Sequence, residues 1–226
     1  MYDKKMGELI KENESLKKTL RYMSHELLNV LTIVDYSAKK VDKCGKTRES
    51  KQLVEDIDYM IKLMRDLSEY NHADDLKLEL CCASAIVKSV VDDYKNKNKD
   101  INIRLNILET EDAFIARLDK NKIRQIIINI MKNAVEAVNN EKMKMIVITM
   151  KKIKRNIVIE ISDNGCGIEK RYIKDIFKEG FTKNKKDGSG LGLAISKRIV
   201  EKHKGKINVK SYPKEGTIFE IELPAI

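Results

Sequence analysis

The 226-residue chain has no tryptophan, two prolines and four phenylalanines, and aromatic residues make up only 5% of it. It also has no apolar run approaching the length of a membrane-spanning helix. Its start, Met1-Tyr-Asp-Lys-Lys, lacks the apolar core of a secretion signal. The four cysteines (Cys44, Cys81, Cys82 and Cys166) lack the paired spacing of a zinc site, and adjacent Cys81 and Cys82 are poor partners for a mutual bridge. Reduced thiols in a cytoplasm are the expectation. There is no internal repeat and no low-complexity tract. What the chain does have is charge, at 35% of residues, beside 42% apolar residues, a balance that fits a globular protein with a real core.

The first third is patterned as helix. Met6, Leu9, Asn13, Leu16, Leu20, Met23, Leu27, Val30 and Val34 alternate at steps of three and four, a seam of roughly 40 Å at the helical rise. Residues 41–50 contain Gly45 and read as a turn. A second seam then runs through Leu53, Ile57, Met60, Met64 and Leu67. Two antiparallel helices of this kind make half a bundle, so the expected architecture is a helical hairpin that dimerises into a four-helix bundle. Asn13 on the seam fits a register-fixing role. In this phase His25 falls on the outer face, with Glu26 beside it and Asn29 one turn along.

After the polar junction 71–75 the period changes. Alternation predicts strands at 76–80, 101–108, 114–118, 145–150, 157–161, 207–209 and 218–223. Helices are expected at 85–94, from Lys120 behind an Asp119 cap to about 139, and at 191–203 ahead of Gly205. Helices interspersed with strands imply a two-layer α/β sandwich. The domain division read from this is 1–72 and 76–226.

Four short stretches carry chemistry. Asn129 and Asn133 are neighbours on one face of an isoleucine-rich helix, where asparagine is a poor choice unless it has a task. A carboxamide oxygen suits Mg²⁺, which keeps water and phosphate oxygens for its other positions. Asp163-Asn-Gly165-Cys-Gly167 closes a strand. Its carboxylate can accept a hydrogen bond from the exocyclic amine of adenine, and its glycines let the backbone approach a ligand. Gly188-Ser-Gly190-Leu191-Gly192 opens a helix, where free amides and the helix dipole favour phosphate. This is neither a Walker loop nor a dinucleotide fingerprint. Between the glycine stretches, 169–187 is expected to form a cover, with Phe177-Lys-Glu-Gly180-Phe181-Thr182-Lys183 inside it. Its Lys183, Lys185 and Lys186 are placed to neutralise outer phosphates.

The pocket so described is one for ATP with Mg²⁺. Residues 1–75 carry 14 Lys and Arg against 15 Asp and Glu, and the remainder 31 against 20, so the excess of +10 lies in the segment with the phosphate signature. Attraction of ATP and of an acidic protein partner accounts for that charge. A nucleic-acid binder would cluster it with aromatics, which are not there, so no nucleic-acid partner is expected.

From about residue 20 to its end, the chain resembles the transmitter region of bacterial two-component sensor histidine kinases. Met23-Ser-His25-Glu-Leu-Leu-Asn29 resembles the family's phosphoacceptor box, and 129–137 its asparagine box. The other stretches resemble its two glycine boxes and its phenylalanine box, and Gly216-Thr217-Ile-Phe-Glu-Ile-Glu-Leu-Pro224 its closing pattern. The resemblance implies an ATP-dependent kinase that phosphorylates its own His25 and passes the phosphoryl group to an aspartate of a response regulator. Glu26 would take the proton of the second imidazole nitrogen, and Asn29 would orient water for dephosphorylating the regulator. Asn133 would hold Mg²⁺, Asn129 would support the phosphates, and Asp163 with Thr217 would read adenine. The sequence departs from the family at Val30, where a proline is usual, and at Glu136, where a basic residue or tyrosine is common. Pairing to ATP would then fall to Arg124, Lys132 or the lysines of the cover.

Three other readings compete: a phosphotransferase or phosphatase that rarely uses ATP, a non-kinase ATPase or chaperone, and a basic nucleic-acid module. Intact asparagine and glycine boxes oppose the first, the exposed His-Glu pair the second, and the glycine boxes the third. About 20 residues precede the acceptor motif. The stimulus is therefore expected to come from another protein, or from a sensor portion, membrane-bound or not, of a longer chain.

Overall fold

The computed structural model describes residues 2–45, 47–182 and 189–226, leaving aside the side chains of 2–15, 17, 18, 22 and 25. The chain divides into two compact units, Met1–His72 with Thr182–Leu191 and Ala73–Phe181 with Gly192–Ile226. Among the described residues no helix is long and apolar enough to cross a membrane.

The first unit is built on helices α1 (Tyr2–Cys44) and α2 (Arg48–Asn71). The turn between them is fixed by a capping box. Thr47 accepts the Ser50 N–H at 3.0 Å, and Ser50 Oγ in return accepts the Thr47 N–H at 3.1 Å. Ala38, Ile57 and Ile61 are buried between the helices, with Leu28, Leu31 and Val54 packed on them. On α1 that stripe is not the seam read from the sequence, whereas on α2 it includes one seam residue, Ile57. Leu16, Leu20, Met23, Leu27, Val30 and Val34 on α1, with Leu53, Met60 and Leu67 on α2, stay exposed. At 100° per residue, the row 24–28–31–38 lies about a quarter turn from the row 20–23–27–30. The hairpin closes on the first row and leaves the heptad row open. Met6, Leu9 and Asn13 lie outside the side chains described.

The second unit opens with β1 (Glu79–Cys82), which pairs antiparallel with β3 (Ile115–Leu118). The strand expected at 76–80 begins later because the Lys77 N–H is drawn to the Asp119 carboxylate at 2.8 Å instead of a ladder partner. Helix α3 (Ala83–Lys97) and β2 (Asn102–Ile107) follow. Phe114 belongs to a 3₁₀ turn, Glu111–Phe114, ahead of β3. Then come α4 (Lys120–Val138), β4 (Met145–Ile153), β5 (Asn156–Asp163), α5 (Gly192–Lys202), β6 (Lys206–Tyr212) and β7 (Gly216–Pro224).

The main sheet has the order β2-β4-β5-β7-β6, with β2 and β4 parallel and the rest antiparallel. Alternate residues on one face (Ile146, Ile148 and Met150 of β4, and Ile157, Ile159 and Ile161 of β5) are buried with Val87 and Val90 of α3, Ile127 and Ile130 of α4, and Ile199 of α5. Each such side chain contributes roughly 1.5–3 kcal/mol. The opposite face carries paired polar groups, among them Lys151 on Glu160 at 2.7 Å and Asn208 on Glu220 at 3.2 Å. A sheet with one wet face and one helix-covered face is the expected two-layer sandwich.

Candidate nucleotide site

Helix α4 is the spine of the site. Asp119 caps it by accepting the N–H groups of Asn121 and Lys122, each at 3.0 Å. The apolar stripe Ile123, Ile126, Ile127, Ile130, Ala134 and Val138 seats it on the sheet. The other face then contacts both glycine stretches. Asn129 Nδ2 donates to the Gly192 carbonyl at 3.2 Å and to Ser196 Oγ at 3.3 Å, so it anchors the first turn of α5. Ser196, missed in the sequence, is wholly buried and itself donates to the Gly192 carbonyl at 2.8 Å. Asn133 lies half-buried one turn further along α4.

One more turn on, Gly165 is pressed against the helix. A Cβ there would lie 2.5 Å from the Ala137 carbonyl, and the next amide, of Cys166, donates to that same carbonyl at 3.2 Å. Gly167 has φ +67°, and a Cβ on it would come within 2.0 Å of the Tyr212 carbonyl. The glycines of this stretch are therefore spaces filled by backbone. Asn164, unremarked in the sequence, locks the turn by accepting the Met145 N–H at 2.9 Å and donating to the Met143 carbonyl at 2.6 Å.

Asp163 ends β5 directly opposite Thr217 of β7, and both side chains are buried. Burial pushes the Asp163 carboxyl up to about 6, against the pull of the Gly165 and Thr217 backbone N–H groups. A carboxylate has more acceptor positions than these two N–H groups fill.

Gly190 has φ +68°, and the Leu191 N–H is held by Ser189 Oγ at 3.2 Å just before α5 begins. Lys183, Lys185, Lys186 and Gly188 lie outside the described residues. In the helical unit, His25 sits within α1 but its side chain is not among those described, whereas Glu26 and Asn29 are exposed. Of the expected site, the structure thus brings together Asn129 with Gly192 and Asp163 with Gly165 and Thr217. Among the described residues no cluster of His, Cys, Asp or Glu forms a metal cage. An ion here would have to rest on an amide oxygen and the ligand's own oxygens, the coordination Mg²⁺ favours.

Residues 118–226 match the family described as histidine kinase-, DNA gyrase B- and HSP90-like ATPases. Sensor histidine kinase YvrG of Bacillus subtilis (strain 168) is 30% identical over 195 residues, 83% of this chain and 32% of that protein. Sensor protein KdpD of Clostridium acetobutylicum is 29% identical over 228 residues, 94% of this chain and 25% of that one. Residues 118–226 belong to that ATPase family, and over most of its length the chain is similar to sensor histidine kinases.

The fold agrees. The crystal structure of full-length ShkA in complex with AMPPNP superposes with a TM-score of 0.74 at 24% identity, covering 92% of this chain and 45% of that one. The present chain spans a quarter to a third of the length of these two relatives. The sequence motifs marked the candidate groups Asn129, Asp163 and Gly192. Their supports Ser196 and Asn164 carried no signal, because a serine or asparagine bonded to backbone looks like any polar residue.

Proposed function

We propose that this chain is an ATP-dependent protein histidine kinase acting on itself at His25. One imidazole nitrogen attacks the γ-phosphorus, the bond to the bridging oxygen breaks, ADP leaves, and the proton of the other nitrogen passes to Glu26. What supports the reading most is the single helix α4, which fastens the first turn of α5 through Asn129 and the Asp163–Gly167 turn through Ala137. That arrangement holds a base-reading carboxylate and a phosphate-binding helix start at a fixed separation.

In this reading Asp163 and Thr217 take the adenine edge. Gly190, Leu191 and Gly192 offer backbone amides to the phosphates, with Lys183 and Gly188 completing the loop. Mg²⁺, resting on Asn133, would neutralise phosphate charge. The apolar row left open on α1 and α2 is the surface on which a second copy closes a four-helix bundle. Residues 1–72 then form the dimerisation and phosphotransfer domain, and 76–226 the catalytic domain. The acceptor of the phosphoryl group is an aspartate of a response regulator in the cytoplasm, and Asn29 orients water for hydrolysis of that aspartyl phosphate, releasing inorganic phosphate.

The test is incubation with γ-labelled ATP and Mg²⁺. Label that is lost in acid, survives alkali and disappears in His25→Ala supports the assignment. Label that persists in that variant removes it.

A further inference from the structure

Asp163, Thr217 and Ser211 form one cross-strand row over β5, β7 and β6, each directly opposite the next. Ser211 is the most constrained of the three. Its oxygen accepts the Ile168 N–H at 2.8 Å, lies 2.9 Å from the Gly216 carbonyl, and lies 2.9 Å from Thr217 Oγ1. A hydroxyl has one proton to give and two lone pairs to receive. The Gly216 carbonyl can only accept, so the Ser211 proton goes there. The Ile168 amide can only donate, so it takes one lone pair. Thr217 must therefore donate its own proton to the remaining lone pair.

We propose that Ser211 is a positioning residue that fixes the polarity of the Thr217 hydroxyl and thereby the choice of nucleobase. With its proton committed to Ser211, the Thr217 oxygen has only acceptor capacity left. It stands in the row beside the Asp163 carboxylate, another acceptor. A base that meets this corner has to bring donors. The exocyclic amine of adenine does so, directly or through a water, whereas guanine brings a carbonyl oxygen at the same place and meets lone pairs with lone pairs. Without Ser211 the Thr217 hydroxyl is free to turn and donate, and the corner loses its one-sided character. The Ile168 bond adds a second effect, because Ser211 also ties the β6–β7 hairpin to the first glycine turn. This inference rests on the nucleotide reading of the site and adds to it a residue outside the binding shell.

The experiment is calorimetric titration of the whole chain with Mg-ATP and with Mg-GTP, for wild type, Ser211→Ala, Ser211→Thr and Thr217→Val. Wild type is expected to prefer ATP. Ser211→Ala should weaken ATP about three- to tenfold, the worth of one net hydrogen bond, and strengthen GTP, so the ratio between them narrows. Ser211→Thr should restore it. Thr217→Val should weaken ATP without any gain for GTP, and adding Ser211→Ala to it should leave the ATP-to-GTP ratio where Thr217→Val put it. A purely structural role would lower both affinities together. Should Ser211→Ala not fold, Ser211→Cys, whose thiol is a weak hydrogen-bonding group, is expected to show the same narrowing. An unchanged ATP-to-GTP ratio in the folded variant overturns the role of Ser211 and leaves the nucleotide site standing. A wild type that binds neither nucleotide overturns both.

Discussion

Nε2 of His203 accepts the backbone N–H of Asp119 at 3.0 Å and so joins the residue after α5 to the cap of α4. Its Nδ1 lies 2.8 Å from the Ile199 carbonyl, which can only accept, so the proton of the neutral ring sits on Nδ1. Both nitrogens are committed, and a second proton on Nε2 would face the Asp119 N–H. Burial lowers the His203 pKa, against an upward pull from the Ile199 carbonyl and the Asp119 carboxylate.

The sign of the linkage follows. The unfolded chain binds the proton more readily than the folded one, so this histidine's contribution is present above its ordinary value of 6.5 and lost as pH falls through the lower folded value. Urea unfolding between pH 7.5 and 5 should show that loss, and His203→Gln should flatten it. His203→Ala leaves a buried amide without its acceptor and should cost about 1–3 kcal/mol at pH 7.5. A variant with unchanged slope and stability would show that the ring carries no such role.

Asp163 runs the other way. Its folded pKa of about 6 stands above the unfolded 3.8, so its contribution is complete below 3.8 and lost as pH rises through 6. Asp163→Asn should therefore stabilise the fold at pH 7.5, by on the order of 2 kcal/mol. The same variant should bind Mg-ATP at least tenfold more weakly, because an amide presents a donor where an acceptor is needed. Wild-type affinity should fall as pH drops below about 6. Affinity that is flat between pH 7.5 and 5.5 would exclude the carboxylate as the reader of the base.

Gly165 and Gly192 both belong to glycine stretches, yet only one is sterically required. A methyl at Gly165 would strike the Ala137 backbone at 2.5 Å, whereas at Gly192 it would rest 3.7 Å from the Asn129 side chain. Gly165→Ala should cost about 2–3 kcal/mol or more of stability by thermal unfolding, in line with overpacking. Gly192→Ala should unfold within about 1 kcal/mol of wild type. Equal losses in the two variants would contradict this reading.

Leu20 and Leu27 lie on the open row of α1, away from the contact that closes the hairpin. Charging both, as Leu20→Glu with Leu27→Glu, should convert a dimer into a monomer by sedimentation while leaving the second unit folded. A wild type that sediments as a monomer at tens of micromolar would remove the second copy from the proposal.

The identity of the elements was legible wherever one period held over many residues. Helix α4 was read from Lys120 because Asp119 precedes an isoleucine stripe at steps of three and four. Strands β4, β5 and β7 were read because buried and exposed residues alternate on a sheet with one wet face. The strand near residue 76 was misplaced because a single side chain, Asp119, takes the Lys77 amide from 42 residues away. No local pattern can report a bond of that span. The contact inside the hairpin had no comparable signal, because Ala38 and Ile61 lie off the heptad row and only Ile57 belongs to both.

Local chemistry therefore determined which residues are candidates for the site: an asparagine pair on one helix, a carboxylate ending a strand, and glycines where backbone must come close. Tertiary structure decided what those residues face. The Asp163–Thr217–Ser211 row exists only because three strands pair in one register, and the direction of the Ser211 proton is set by Gly216 across the hairpin and by Ile168, 43 residues away in the chain. Hydrogen-bond donors and acceptors are saturable, so the role of each depends on which neighbours have already used it, and that is a property of the assembled sheet.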